Sequence, residues 1–290
     1  MGLENLPPEM RADPSPTKRD RMTAIKTYRN ETIAWVILDR PARRNALRGS
    51  DLAHLATTVR ELSADPTVRA ICVGGAGGHF ASGADIDELQ LLQSSAAARA
   101  HALLGQSACD ALEQAPVPVV AAIEGCCVGG GLEIAMSCDF RLAGPQSTFG
   151  QVELRIGSVA AWGGIRRLPR LVGVPQAKRL VYTGQHIDAD RAASIGLIDE
   201  VVAEGDVQDA AGRLATQLSQ GPREALAASK RALDHAVDVP LYAGLQQDRE
   251  TFAALVGGSE FQTGVAKFLA RSTRHREALG SLAVEESSEQ

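Results

Sequence analysis

Apolar residues along this chain follow two different rhythms. Short unbroken runs bounded by proline or glycine predict buried strands at Thr32–Leu38, Ala70–Gly74 and Val117–Ile123. Between the first two, Leu52, Leu55, Val59 and Leu62 recur at helical spacing behind Ser50-Asp51, a pair suited to cap a helix. A long helix is predicted over Ala96–Gln114, a short one over Leu132–Ser137, and another strand at Phe140–Ala143. Beyond Leu168 the pattern turns helical, over Gln176–Thr183, Asp190–Ser194, Val207–Ser219, Arg223–Val237 and Leu241–Val256, broken by a turn and short strand in Gly196–Val202. Alternating strand and helix predicts βα units and an α/β fold. We therefore expect a mixed core over residues 23–204 and a helical C-terminal region over 205–290. Helices with apolar stripes and little sheet to cover are candidates for packing against other subunits. Residues 1–22 carry Glu4, Glu9, Asp13 and several prolines without an apolar run, and read as a disordered arm rather than a leader.

Composition narrows the function. With 290 residues, 44% of them hydrophobic, the chain can bury a large core. A net charge of −5 argues against a nucleic-acid partner, and Arg166, Arg167 and Arg170 are expected to face solvent or a phosphate-bearing ligand. No apolar run approaches the roughly 20 residues needed to cross a bilayer, so no membrane partner is expected. The five cysteines include no C-x-x-C pair and sit among apolar residues, which fits buried thiols in a reducing compartment; the cytoplasm is the expected address.

The candidate chemistry begins in Pro116–Asp139, which reads as strand, glycine turn, helix. Gly129, Gly130 and Gly131 precede the helix, and Glu133 follows in its first turn. Glycines allow a ligand close to the backbone, and a helix start offers unpaired N–H donors with partial positive charge. That equipment can hold an oxygen on which negative charge develops. The same residues also suit plain helix-on-sheet packing, with Glu133 complementing the helix dipole. Neither a phosphate-binding P-loop nor a dinucleotide fingerprint is present. A second glycine loop, Phe80–Leu89, also leads into a helix start and could present another N–H, with Asp85 able to cap. Glu153, in Phe149–Leu154, lies twenty residues beyond Glu133, so any meeting of the two must be tertiary. Read alone, it is an ordinary solvated or salt-bridged loop residue.

Taken together, Phe80–Ile86 (F-x-S-G-A-D-I), Gly129–Glu133 (G-G-G-L-E), Phe149–Glu153 (F-G-Q-x-E) and the segment Tyr182–Val201 resemble the enoyl-CoA hydratase/isomerase (crotonase) superfamily, over roughly Thr23–Arg271. The resemblance implies a spiral of β-β-α units with a helical trimerisation region, as a homotrimer or a dimer of trimers. It implies an acyl-CoA thioester as substrate, coenzyme A entering only as part of that substrate, and no metal or redox cofactor. The N–H groups of Ala84 and Gly130 would hold the thioester oxygen. Ala84, Asp85, Ile86 and Asp87 would line the adenine and pantetheine site, Arg43 would approach a CoA phosphate, and Lys267 and Phe268 would approach the CoA of a neighbouring subunit. In the hydratases two glutamates straddle the acyl chain, and Glu133 and Glu153 match both; isomerases usually keep one. One departure stands out. Where hydratases carry P-G-A-G-G, this chain has Ala160-Ala161-Trp162-Gly163-Gly164, so Trp162 either reshapes the acyl pocket or packs the core. Hydration of an enoyl-CoA is the leading expectation; isomerisation, decarboxylation and non-catalytic acyl-CoA binding are the alternatives.

Overall fold

The computed structural model describes residues 24–203 and 207–270. An antiparallel hairpin opens the described chain: β1 (Ile25–Asn30) pairs with β2 (Ile33–Leu38), Ile25 opposite Leu38 and Asn30 opposite Ile33. The hydrophobic pattern missed β1, because Lys26, Thr27, Tyr28 and Arg29 make it a half-exposed edge strand. Next come α1 (Gly49–Ala64), β3 (Ala70–Gly75), the short α2 (Ile86–Leu89), α3 (Ser95–Glu113), β4 (Val119–Ile123), β5 (Cys126–Val128) and α4 (Gly130–Met136). They are followed by β6 (Phe140–Ala143), β7 (Thr148–Gly150), α5 (Gly164–Thr183), β8 (Ile187–Asp188), α6 (Ala189–Ser194), β9 (Glu200–Val201) and α7 (Val207–Ser219). One sheet has the order β1-β2-β3-β4-β6-β9, parallel after the first pair, and a second has the order β5-β7-β8.

Strand β2 explains why the main sheet is buried on both faces. Its side chains alternate with period two: Ala34, Val36 and Leu38 join one apolar core, with α1, α3 and α4, while Ile33, Trp35 and Ile37 join another. That second core is closed by Val207, Ala210, Ala211 and Ala215 of α7. Helix α7 therefore belongs with the sheet, and the chain divides between Gly221 and Pro222 rather than at the composition shift near 205.

Two local readings are corrected. Helix α1 begins one residue before the expected Ser50-Asp51 cap, with Arg48 as its N-cap. Asp51 is instead a buried residue of the first turn, accepting the N–H groups of Arg48 and Ala24 at 3.0 Å each. Helix α5 is much longer than Gln176–Thr183; Gly173, at φ +73°, breaks it ahead of Pro175. In the second unit, α8 (Arg223–Asp234), α9 (Leu241–Val256) and helical residues 259–270 pack together, with Phe252 and Phe261 edge to face at 6.5 Å. Among the described residues no helix is long and apolar enough to cross a membrane.

Candidate active site

Strand β5 hands the chain to α4 through Gly129, whose φ of +54° and ψ of −129° suit only glycine. The turn is fixed from both sides: Gly129 N–H donates to the Gly150 carbonyl at 2.8 Å, and Val128 N–H to the Ala81 carbonyl at 3.1 Å. The second contact brings the Phe80–Leu89 loop alongside. A Cβ on Gly83 would stand 3.0 Å from the Gly130 nitrogen, so the backbones of the two expected donor loops meet at this point. Among the described residues no backbone carbonyl accepts from the N–H of Ala84 or of Gly130. Two donors are thus left for something else.

The carboxylates converge on the same place. Glu133, in the first turn of α4, is 2% exposed and accepts the Gly164 N–H at 2.7 Å. Burial, followed by the charge of Glu153, pushes its pKa up to about 7 against the pull of that N–H. Glu153 reaches the site from the 3-10 turn at Glu153–Ile156, where a Cβ on Gly129 would lie 3.3 Å from its Oε1. Burial raises its pKa too, while the Gln151 side chain opposes the shift. Two half- to fully buried carboxyl groups that repel each other hold one proton more readily than two charges. Such a pair can offer one proton donor and one proton acceptor.

Gln151 was not singled out in the sequence, yet it positions Glu153. Its Nε2 donates to both carboxylate oxygens, at 2.9 and 3.0 Å, and its own residue is 1% exposed. Its Oε1 is buried without a protein partner, and only its amide nitrogen can donate to the carboxylate. The Q of F-G-Q-x-E was the available signal. Its role was invisible because the geometry of the 3-10 turn is not written in local periodicity.

Trp162 stands directly beside these groups. It is 4% exposed, and a Cβ on Gly130 would lie 2.2 Å from its ring. Its carbonyl accepts from Arg167 at 3.0 Å. Arg167 also binds Glu113 and Asp110, so it turns inward against α3 instead of facing solvent or a phosphate-bearing ligand with Arg166 and Arg170.

On the other flank, Asp85 caps α2 by accepting the N–H groups of Asp87 and Glu88, as its position suggested. It forms an ion pair with Arg40. Burial would raise its pKa, but the Arg40 hydrogen bond, the Glu88 N–H and the charges of Arg40 and Arg43 outweigh this and hold it below its ordinary value. Ile86 and Asp87 are exposed, and Arg43 pairs with Asp87 at the surface. Lys267 and Phe268 belong to the second unit and are exposed. No group of three metal-ligating side chains occurs among the described residues.

The profile of the family described as Enoyl-CoA hydratase/isomerase matches residues 28–277. The chain belongs to the enoyl-CoA hydratase/isomerase family. It is 34% identical to the short-chain-enoyl-CoA hydratase of Clostridium acetobutylicum over 82% of this chain and 91% of that protein. It is also 34% identical to the crotonyl-CoA hydratase of Syntrophomonas wolfei, over 83% and 93%. Among solved structures, the enoyl-CoA hydratase of Bacillus anthracis superposes with a TM-score of 0.81 at 29% identity, covering 86% of this chain and 96% of that one. That of Polaromonas sp. JS666 gives 0.82 at 27%, covering 85% and 97%. The fold is the crotonase fold of this family, as the glycine loops and glutamates suggested.

Proposed function

We propose that this chain hydrates trans-2-enoyl-CoA thioesters reversibly, with short or medium acyl chains as substrates. The observation that carries the reading is the meeting of two buried, mutually repelling carboxyl groups with two N–H donors that no backbone carbonyl takes up. The names of the Clostridium and Syntrophomonas relatives point the same way.

In this mechanism the thioester oxygen accepts from Ala84 and Gly130 N–H, whose preorganised dipoles stabilise the enolate as it forms; each such donor contributes on the order of 10²–10³ in rate. The ionised carboxylate of the pair draws a proton from water as its oxygen bonds to C3. The protonated carboxyl delivers its proton to C2, and the enolate collapses back to the thioester. In net terms one O–H bond of water and the C2=C3 π bond break, one C–O and one C–H bond form, and the pair ends holding one proton as it began. Gln151 keeps Glu153 aimed at the water. Ala84 to Asp87 and Arg43 form the CoA side, no further cofactor takes part, and a homotrimer or dimer of trimers places Lys267 and Phe268 of one subunit at the CoA of its neighbour. Within this reading the protein works in the cytoplasm.

Trp162 favours one competing reading, in which the same enolate leads to double-bond isomerisation or to decarboxylation. Mass analysis and absorbance together separate them, because hydration adds the mass of water, decarboxylation removes carbon dioxide, and isomerisation of a 3-enoyl-CoA keeps its mass but gains the conjugated enoyl-thioester band. Crotonyl-CoA should gain one water, and a 3-enoyl-CoA or a malonyl-CoA should come back unchanged; conversion of either of the latter without hydration of crotonyl-CoA would overturn the proposal.

A further inference from the structure

The indole of Trp162 is held between two glycines from different helices. A Cβ on Gly130, at the start of α4, would come within 2.2 Å of the ring, and so would a Cβ on Gly105, in the middle of α3. A glycine inside a helix costs about 1 kcal/mol relative to alanine, so its presence at 105 calls for a local reason. The indole supplies one: no larger residue leaves it room. Its backbone is held as firmly. Gln106 Nε2 donates to the Ala161 carbonyl at 2.8 Å and Arg167 to the Trp162 carbonyl at 3.0 Å, and the His101 ring centroid lies 6.1 Å from that of the indole.

This fixed ring sits where an acyl chain has to go. Its six-membered ring stands where a Cβ on Gly130 would be, beside the N–H that is the proposed oxygen donor, and the backbone N–H of Trp162 helps to lower the pKa of Glu133 against its burial. A thioester anchored at Gly130 with C3 between the two glutamates has its next carbons beside the indole. We infer that Trp162 is the wall of the acyl pocket, and that it restricts this enzyme to short enoyl chains. The inference rests on the proposed placement of the thioester, and it names the substrate class for that site.

The test compares chain lengths in two independent readouts, hydration and binding. Wild-type protein should hydrate crotonyl-CoA with a kcat/KM at least about tenfold above that for trans-2-decenoyl-CoA, and Trp162→Ala should shift that ratio by about tenfold or more toward the longer chain. Calorimetry with the unreactive butyryl-CoA and decanoyl-CoA should show the same shift in Kd. Because Trp162→Ala can lose packing, Trp162→Leu is carried alongside, with circular dichroism on both; its shift should be smaller in size and equal in sign. Binding that discriminates by chain length without any hydration would refute the hydratase reading and sustain the wall. Hydration with an unchanged ratio in both folded variants would do the reverse and leave Trp162 as core packing. Failure of both thioesters to bind would overturn the two together.

Discussion

The two helix starts that offer N–H donors are built in opposite ways. At α4 there is no capping side chain, the surrounding residues are buried, and the turn is set by glycine backbone and by a tryptophan wedged against it. At α2, Asp85 caps the first turn with its own carboxylate, and ion pairs from Arg40 and Arg43 hold the loop beside an exposed Ile86. The dry end keeps its donors and raises the proton affinity of its carboxylates, which suits charge that develops only during reaction. The wet end, held by ion pairs at the surface, suits a polar ligand that must enter and leave. In the proposed function the dry end carries the acid and base, and the wet end carries the recognition of coenzyme A.

That contrast can be broken at several points. The largest effect is expected from Glu153→Gln at the dry end, which should lower turnover by roughly 10²–10⁴ with an unchanged fold, measured by steady-state kinetics and circular dichroism. Gly105→Ala comes next: overpacking against the indole should cost about 1–3 kcal/mol in urea unfolding, and most of that cost should vanish in a Trp162→Ala background. A cost that survives removal of the indole would mean that Gly105 serves the helix and not the wall.

The pH dependence of stability probes the same end. Glu133 has its pKa raised from an ordinary 4.5 to about 7, so the folded state binds this proton more tightly than the unfolded chain. Its contribution therefore favours folding at low pH and is lost as pH rises through that window, by up to about 3 kcal/mol, with no further change above it. Glu133→Gln should gain on wild type between pH 5 and pH 8 in parallel denaturation curves. The smallest effect belongs to the wet end. Arg43→Ala should raise KM about two- to fivefold, leave kcat alone, and lose that difference at high salt.

Much of this organisation could be read from the sequence, and the reason is local. β2, β3, β4 and the turn into α4 are marked by apolar runs and glycines within a few residues, and the capping role of Asp85 depends only on its immediate neighbours. Glu133 and Glu153 were identifiable through the order of three short motifs, although only the fold brings them together. The short strands β5, β7 and β8 have two or three residues each, too few to show a period. The pairing of Gly105 with Trp162 spans 57 positions and belongs to packing alone, as does the inward turn of Arg167 toward Glu113. Helix α7 looked like part of a separate helical region because its pattern shows an apolar face without showing what that face covers.

The most direct test is the loss of conjugated enoyl-thioester absorbance when crotonyl-CoA is mixed with the wild-type protein, with Glu133→Ala and with Glu153→Ala. Rapid loss with wild type, and a fall of at least about a hundredfold with each variant, is the expected result. Equal rates in all three proteins would contradict the paired-carboxylate account.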